Sequence, residues 1–131
     1  MENNTVVKKE KYILYIDDDA DDRENFGYAL KKCGADIKLT TATDAYDALD
    51  KLSLCAKPIC IYLDINMPKM NGLELLQVLK SDRTLAPIPV IIFSTCVDAK
   101  SKKEAIKLGA TAVVAKPSSL QALLDQLRLT F

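Results

Sequence analysis

Short continuous apolar runs alternate along this chain with segments whose apolar residues recur at helical spacing. Tyr12-Ile13-Leu14-Tyr15-Ile16 carries no polar alternation, the pattern of a strand buried on both faces of a parallel sheet. Phe26, Ala29, Leu30 and Cys33 then fall on one helical face, and Gly34 is a helix stop. Ile37 to Thr40 predicts a weak second strand. Ala45, Ala48, Leu49 and Leu52 predict a second helix, capped by Thr43 or Asp44. Ile59 to Leu63 is a third strand and Leu73, Leu75, Leu76 and Leu79 mark a third helix. Pro89 introduces the strand Val90 to Phe93. Ala99 to Leu108 is a helix stopped by Gly109. Ala112 to Ala115 predicts a fifth, buried strand, and Leu120 to Leu127 the last helix. Strict alternation of strand and helix implies an α/β fold with a parallel sheet between two helical layers.

There is no internal repeat, low-complexity tract or linker. The 131 residues suit one domain, and 49% hydrophobic residues suffice for one core. The expected organisation is a flexible polar tail over 1–10 and one domain over 11–131, with no output domain following. Lys+Arg and Asp+Glu are 18 each, so net charge gives no case for nucleic acid or membrane surfaces. No apolar run approaches the roughly 20 residues of a membrane span, and Met1 to Glu10 does not read as a signal peptide. A cytoplasmic location is expected. The four cysteines, Cys33, Cys55, Cys60 and Cys96, form no C-x-x-C pair, and histidine is absent. Zinc and histidine-based catalysis are therefore disfavoured, and buried reduced thiols are expected.

The chemistry concentrates at strand ends. Asp17, Asp18 and Asp19 follow the first strand, Asp64 the third, Ser94 and Thr95 the fourth, and Lys116 the fifth. Open parallel sheets bind ligands outside the carboxyl ends of their strands, where the strand order reverses. Clustered carboxylates repel one another unless a hard cation sits among them, and Mg²⁺ suits an all-oxygen site that keeps several waters. A carboxylate can also attack phosphorus.

The segments ILYIDDDADDR, YLDINMPKMNGLELL, IPVIIFST and GATAVVAKP, in this order, resemble response-regulator receiver domains from about Lys11 to the last helix. The resemblance implies a flavodoxin-like doubly wound (βα)5 fold with strand order 2-1-3-4-5. It makes Asp64 the phosphoacceptor and Asp18 a direct Mg²⁺ ligand. Asp17 would hold the metal through water, and Asn66 would offer its backbone carbonyl. Lys116 would pair with phosphoryl oxygens, and Ser94 would be the switch hydroxyl. Asn66 and Cys96 would tune hydrolysis, giving an acylphosphate that lasts minutes. A cis bond is possible at Lys116-Pro117. The phosphoryl donor would be a histidine kinase or histidine phosphotransfer protein, and the output an altered surface for an unknown downstream protein. A monomer or weak dimer is expected. One departure is Val113, where many family members carry a Tyr or Phe that moves on activation. Without that ring, the change should concentrate in the loop after Ser94 and near Asp98 to Lys103.

Plainer roles compete for several of these residues. Asp19, Asp21 and Asp22 suit helix capping and the helix dipole. Thr95 suits a turn, and Lys100, Lys103 and Lys107 a solvated helix face or, alternatively, a docking stripe. The D-x-D within Asp17 to Asp19 also resembles haloacid-dehalogenase-type phosphatases, in which Asp17 would be the nucleophile. Asp21 stands where those enzymes need Thr or Val, and the chain is short of their cap. A phosphorylation-independent pseudo-receiver scaffold is the other alternative. No motif supports a nucleotide cofactor.

Overall fold

The computed structural model describes residues 10–131. Ten elements alternate: β1 (Tyr12–Ile16), α1 (Ala20–Lys32), β2 (Lys38–Ala42), α2 (Ala45–Leu54), β3 (Cys60–Leu63), α3 (Gly72–Ser81), β4 (Val90–Ser94), α4 (Ala99–Lys107), β5 (Ala112–Ala115) and α5 (Leu120–Thr130). All strand pairs are parallel, and the order is β2-β1-β3-β4-β5. The expected doubly wound fold is thus present. The expected tail lies outside the described residues except for Glu10.

Alternation along the strands divides the core in two. Leu14 and Ile16 of β1, with Ile61 and Leu63 of β3, face the side covered by Ala45, Ala48 and Leu52 of α2, Leu75, Leu76 and Leu79 of α3, and Ala105 of α4. Ile13, Tyr15, Cys60, Tyr62 and Phe93 face the other side, against Phe26, Ala29 and Leu30 of α1 and Leu123 and Leu127 of α5. Side chains on a strand alternate between faces, so a strand covered on both faces reads as an unbroken apolar run. The helices start where short polar side chains accept orphan backbone N–H groups. Asp19, Asp44, Asn71, Asp98 and Ser119 each accept from the residue three positions on. Gly34 and Gly109, just past α1 and α4, have φ of 83° and 107°, a region open to glycine without a Cβ clash.

Four expectations need correction. Strand 2 runs over Lys38–Ala42 rather than 37–40, because its register follows β1 from Tyr12↔Lys38 to Ile16↔Ala42. β5 is an edge strand and only half-buried, not buried. α5 continues to Thr130, three residues past its last predicted apolar contact. Of the cysteines, all free, only Cys60 is buried; Cys33 is half-buried, and Cys55 and Cys96 are exposed. Among the described residues no peptide bond is cis, so Lys116-Pro117 is trans.

Candidate functional site: a carboxylate cluster at the strand ends

The sheet ladder itself brings the carboxylates together. Ile16 pairs with Leu63 at the ends of β1 and β3. The ladder then extends one residue further: Asp17 donates its backbone N–H to Ala42 (3.0 Å) and Asp64 to Ile16 (3.1 Å). Asp17 and Asp64 are therefore neighbours, each fixed by its own backbone. On the β4–β5 side, Ser94 pairs with Ala115, and the Lys116 N–H donates to the Ser94 carbonyl at 2.9 Å. Single oxygens of Asp17, Asp18 and Asp64 all lie within 4.8 Å of one another.

Each side chain has a distinct environment. Asp17 is fully buried. One of its oxygens accepts from the Asp19 backbone at 3.0 Å; the other accepts from the Tyr15 hydroxyl at 3.0 Å and the Lys116 ammonium at 2.7 Å. Asp18 is exposed. Asp64 is buried, 7% exposed, and its Oδ1 accepts from the Ser94 hydroxyl at 2.5 Å. Lys116 Nζ lies 3.5 Å from the other Asp64 oxygen, but it also donates to Asp22 of α1 at 2.8 Å. Burial alone would lower the Lys116 pKa; its bonds to Asp17 and Asp22 outweigh this and raise it. The ammonium is charged at any ordinary pH, and no buried side-chain polar atom among the described residues lacks a partner.

Below the carboxylates, the rings of Tyr15, Phe26, Tyr62 and Phe93 pack with centroids 4.4 to 6.5 Å apart. They make a dry floor. Burial, then the nearby Asp17 charge, hold the Tyr15 phenol far above its ordinary pKa, so it serves Asp17 only as a donor. Above the carboxylates, the β3–α3 loop closes tightly. Gly72 opens α3 so near Asp64 that a Cβ there would sit 2.2 Å from the Asp64 carbonyl oxygen. Asn71 and Glu74 form a reciprocal capping box that fixes this helix start.

The structure thus brings together Asp17, Asp18, Asp64, Ser94 and Lys116. Asn66 is exposed in the β3–α3 loop, two residues beyond Asp64. Thr95 is exposed, and Val113 is half-buried against the α2–α3–α4 side. Lys100, Lys103 and Lys107 are exposed on α4, joined there by Lys102 and by Ile106, which is 49% exposed. Asp19 is the N-cap of α1, as expected, but Asp22 is not merely a dipole partner, since it pairs with Lys116. Sequence reasoning also missed Tyr15 and Arg23, whose guanidinium donates to the Asp17 carbonyl at 2.8 Å. Tyr15 was findable: two residues before Asp17 on a strand, it shares a face with it. The Asp22 and Arg23 contacts depend on how α1 docks, and no local signal carries them.

The donor set fits a small hard cation: three carboxylates offer oxygens at one place, one of them exposed to water. The response regulator receiver domain family matches residues 13–128, and the chain belongs to that family. Among curated relatives, FixJ, a transcriptional regulatory protein of Bradyrhizobium diazoefficiens, is 35% identical over 81% of this chain and 49% of its own length. PilG of Pseudomonas aeruginosa is 30% identical over 88% of this chain and 84% of its own. The chain spans between 16% and 49% of four relatives at 32–38% identity. The Mn²⁺-bound form of the response regulator Rcp1 superposes with a TM-score of 0.81 at 26% identity, covering 90% of this chain and 89% of that one.

Proposed function

We propose that the chain is a phosphorylation switch in which Asp64 accepts a phosphoryl group in a Mg²⁺-dependent reaction. The observation that carries this is the setting of Asp64: one oxygen accepts from Ser94 at 2.5 Å and the other lies 3.5 Å from the Lys116 ammonium. An Asp64 oxygen attacks phosphorus, the O–P bond forms, and the bond to the donor breaks with its electron pair leaving on the donor. A phosphohistidine of a kinase or phosphotransfer protein suits this role, because its leaving imidazole takes up a proton. Lys116 and the Ser94 hydroxyl then face the anionic phosphoryl oxygens, which is electrostatic stabilisation aimed at developing charge. Hydrolysis returns the carboxylate and releases phosphate. The Tyr15–Phe26–Tyr62–Phe93 floor keeps water from the underside of the site.

Asp18 and Asp64 would hold Mg²⁺ directly, with Asn66 adding its carbonyl, and the ion would neutralise charge on the phosphoryl oxygens. Asp17 suits an outer role, since both its oxygens already have donors and it is fully buried. The same occupancy disfavours Asp17 as a phosphatase-type nucleophile. Among the described residues no helix is long and apolar enough to cross a membrane. A cytoplasmic regulator fits this reading, signalling to a protein partner as a monomer or weak dimer. Chemistry beyond self-phosphorylation and self-dephosphorylation is not expected of it.

The test is intact mass after incubation with acetyl phosphate and Mg²⁺. Wild type should gain one phosphoryl group, and Asp64→Ala and Asp64→Asn none. A fully labelled Asp64→Ala with the phosphoryl on Asp17 would support the phosphatase-type reading instead. Failure of wild type to label, with Mg²⁺ present, would favour the pseudo-receiver.

A further inference from the structure

Lys116 has three carboxylates in reach, and its two short contacts go to Asp17 at 2.7 Å and Asp22 at 2.8 Å, not to Asp64 at 3.5 Å. On the reading of Asp64 as phosphoacceptor, we propose that Asp22 is a positioning residue that holds the Lys116 ammonium on the α1 side of the resting site and releases it to the phosphoryl group on phosphorylation.

Burial decides which partner lets go. Asp17 has no exposed surface, and stripping the ammonium from it would leave a dry carboxylate without its counter-charge. The Asp22 side chain is 35% exposed, so water can replace the ammonium there. Asp22 also stands in the first turn of α1, where the N-terminal end of the helix favours a negative charge whether or not Lys116 is present. The Lys side chain is a compact charge on a flexible stem, suited to swinging between acceptors. A cleft of about 200 Å³ on the Asp22 side, lined by Asp22 and Asn25 of α1 and by Lys116 to Leu120, gives water a place to take over from the departing ammonium.

The hand-over has a consequence for signalling. The Lys116–Asp22 pair is a polar tie across that cleft, between α1 and the loop that enters α5. Phosphorylation breaks the tie and alters the α1–α5 side. This route needs no ring on β5, where Val113 stands.

The experiment compares wild type, Asp22→Asn and Asp22→Glu by NMR, first without metal and then with Mg²⁺ and beryllofluoride. In the metal-free proteins, the Lys116 ammonium should be ordered in wild type and Asp22→Glu and less ordered in Asp22→Asn, where Asp17 is its one remaining short contact. Asp22→Asn should bind beryllofluoride about two- to fivefold more tightly than wild type, the worth of one half-exposed ion pair. Asp22→Glu should restore the wild-type affinity. Beryllofluoride should shift the amides of Asp22 to Phe26 and Ser118 to Leu123 in wild type and leave them quiet in Asp22→Asn. A purely structural Asp22 would lower the melting temperature in Asp22→Asn without tightening beryllofluoride. That result, or an equally ordered Lys116 in Asp22→Asn, overturns the proposal. If wild type takes up neither beryllofluoride nor phosphoryl, the acceptor reading and the hand-over both fall. The metal-free measurement then still decides whether Asp22 holds Lys116.

Discussion

Asp17 and Asp18 are adjacent in the chain and opposite in environment. Asp17 is fully buried with every oxygen engaged, whereas Asp18 is exposed. Repulsion among clustered carboxylates suggests that removing any of them should stabilise the metal-free protein. The contacts change that expectation for Asp17. Asp17→Asn leaves Lys116 short of its nearest counter-charge and should cost about 1–3 kcal/mol in denaturant unfolding. Asp18→Asn removes a negative charge from the cluster and should raise stability without metal. Cys60 supplies a pH test. Burial pushes its thiol up to about 11, from an ordinary 9.0. The folded state therefore keeps its proton when the unfolded chain has lost it. The resulting stability is full below pH about 9 and is lost as pH rises toward 11, roughly 3 kcal/mol in all. The pH 8 to 10.5 fall in unfolding free energy should be smaller in Cys60→Val than in wild type. Equal falls would show that Cys60 ionises as readily folded as unfolded.

Among the elements, α3 is placed by one missing side chain. Gly72 lets the helix start against the Asp64 backbone, with 2.2 Å available where a Cβ would need a full van der Waals separation. Gly72→Ala must push α3 or the Asp64 backbone away. The expected cost is about 1–3 kcal/mol, the range for overpacking, and it should come with slower phosphoryl uptake from acetyl phosphate. An unchanged uptake rate would show that the shift is absorbed by α3 alone. β5 illustrates the opposite case. It is a half-buried edge strand, yet it delivers Lys116 to a site where its side chain is only 11% exposed. Burial there comes from the carboxylates and α1, not from the strand.

At the scale of the whole molecule, metal binding and folding are linked. A ligand that binds only the folded state stabilises it by mass action. With a dissociation constant of about 1 mM, Mg²⁺ at roughly 10 mM should add about 1.4 kcal/mol and raise the melting temperature by about 3–6 °C. Asp18→Asn should lose most of that increment, and Ca²⁺ or Mn²⁺ should substitute for Mg²⁺ in wild type because the donors are all oxygen. A Mg²⁺ increment that survives in Asp18→Asn would remove Asp18 from the ligand set.

The alternation of apolar runs and amphipathic segments determined the class of fold, because a strand covered on both faces must be apolar at every position. Segment order and the polar residues closing each strand were enough to nominate Asp17, Asp18, Asp64, Ser94 and Lys116, since parallel strands carry their carboxyl ends to one edge. The tertiary structure alone decided the rest. The register of β2 follows its pairing with β1, which local propensity does not encode. Whether Cys55 or Cys96 is buried depends on which helix end or loop lies over it. The partners of Lys116 depend on the docking of α1 beside β1, which carries Asp22 to a residue 94 positions later in the chain. Sequence patterns report what each segment must bury; which charges then meet is set by how the segments pack.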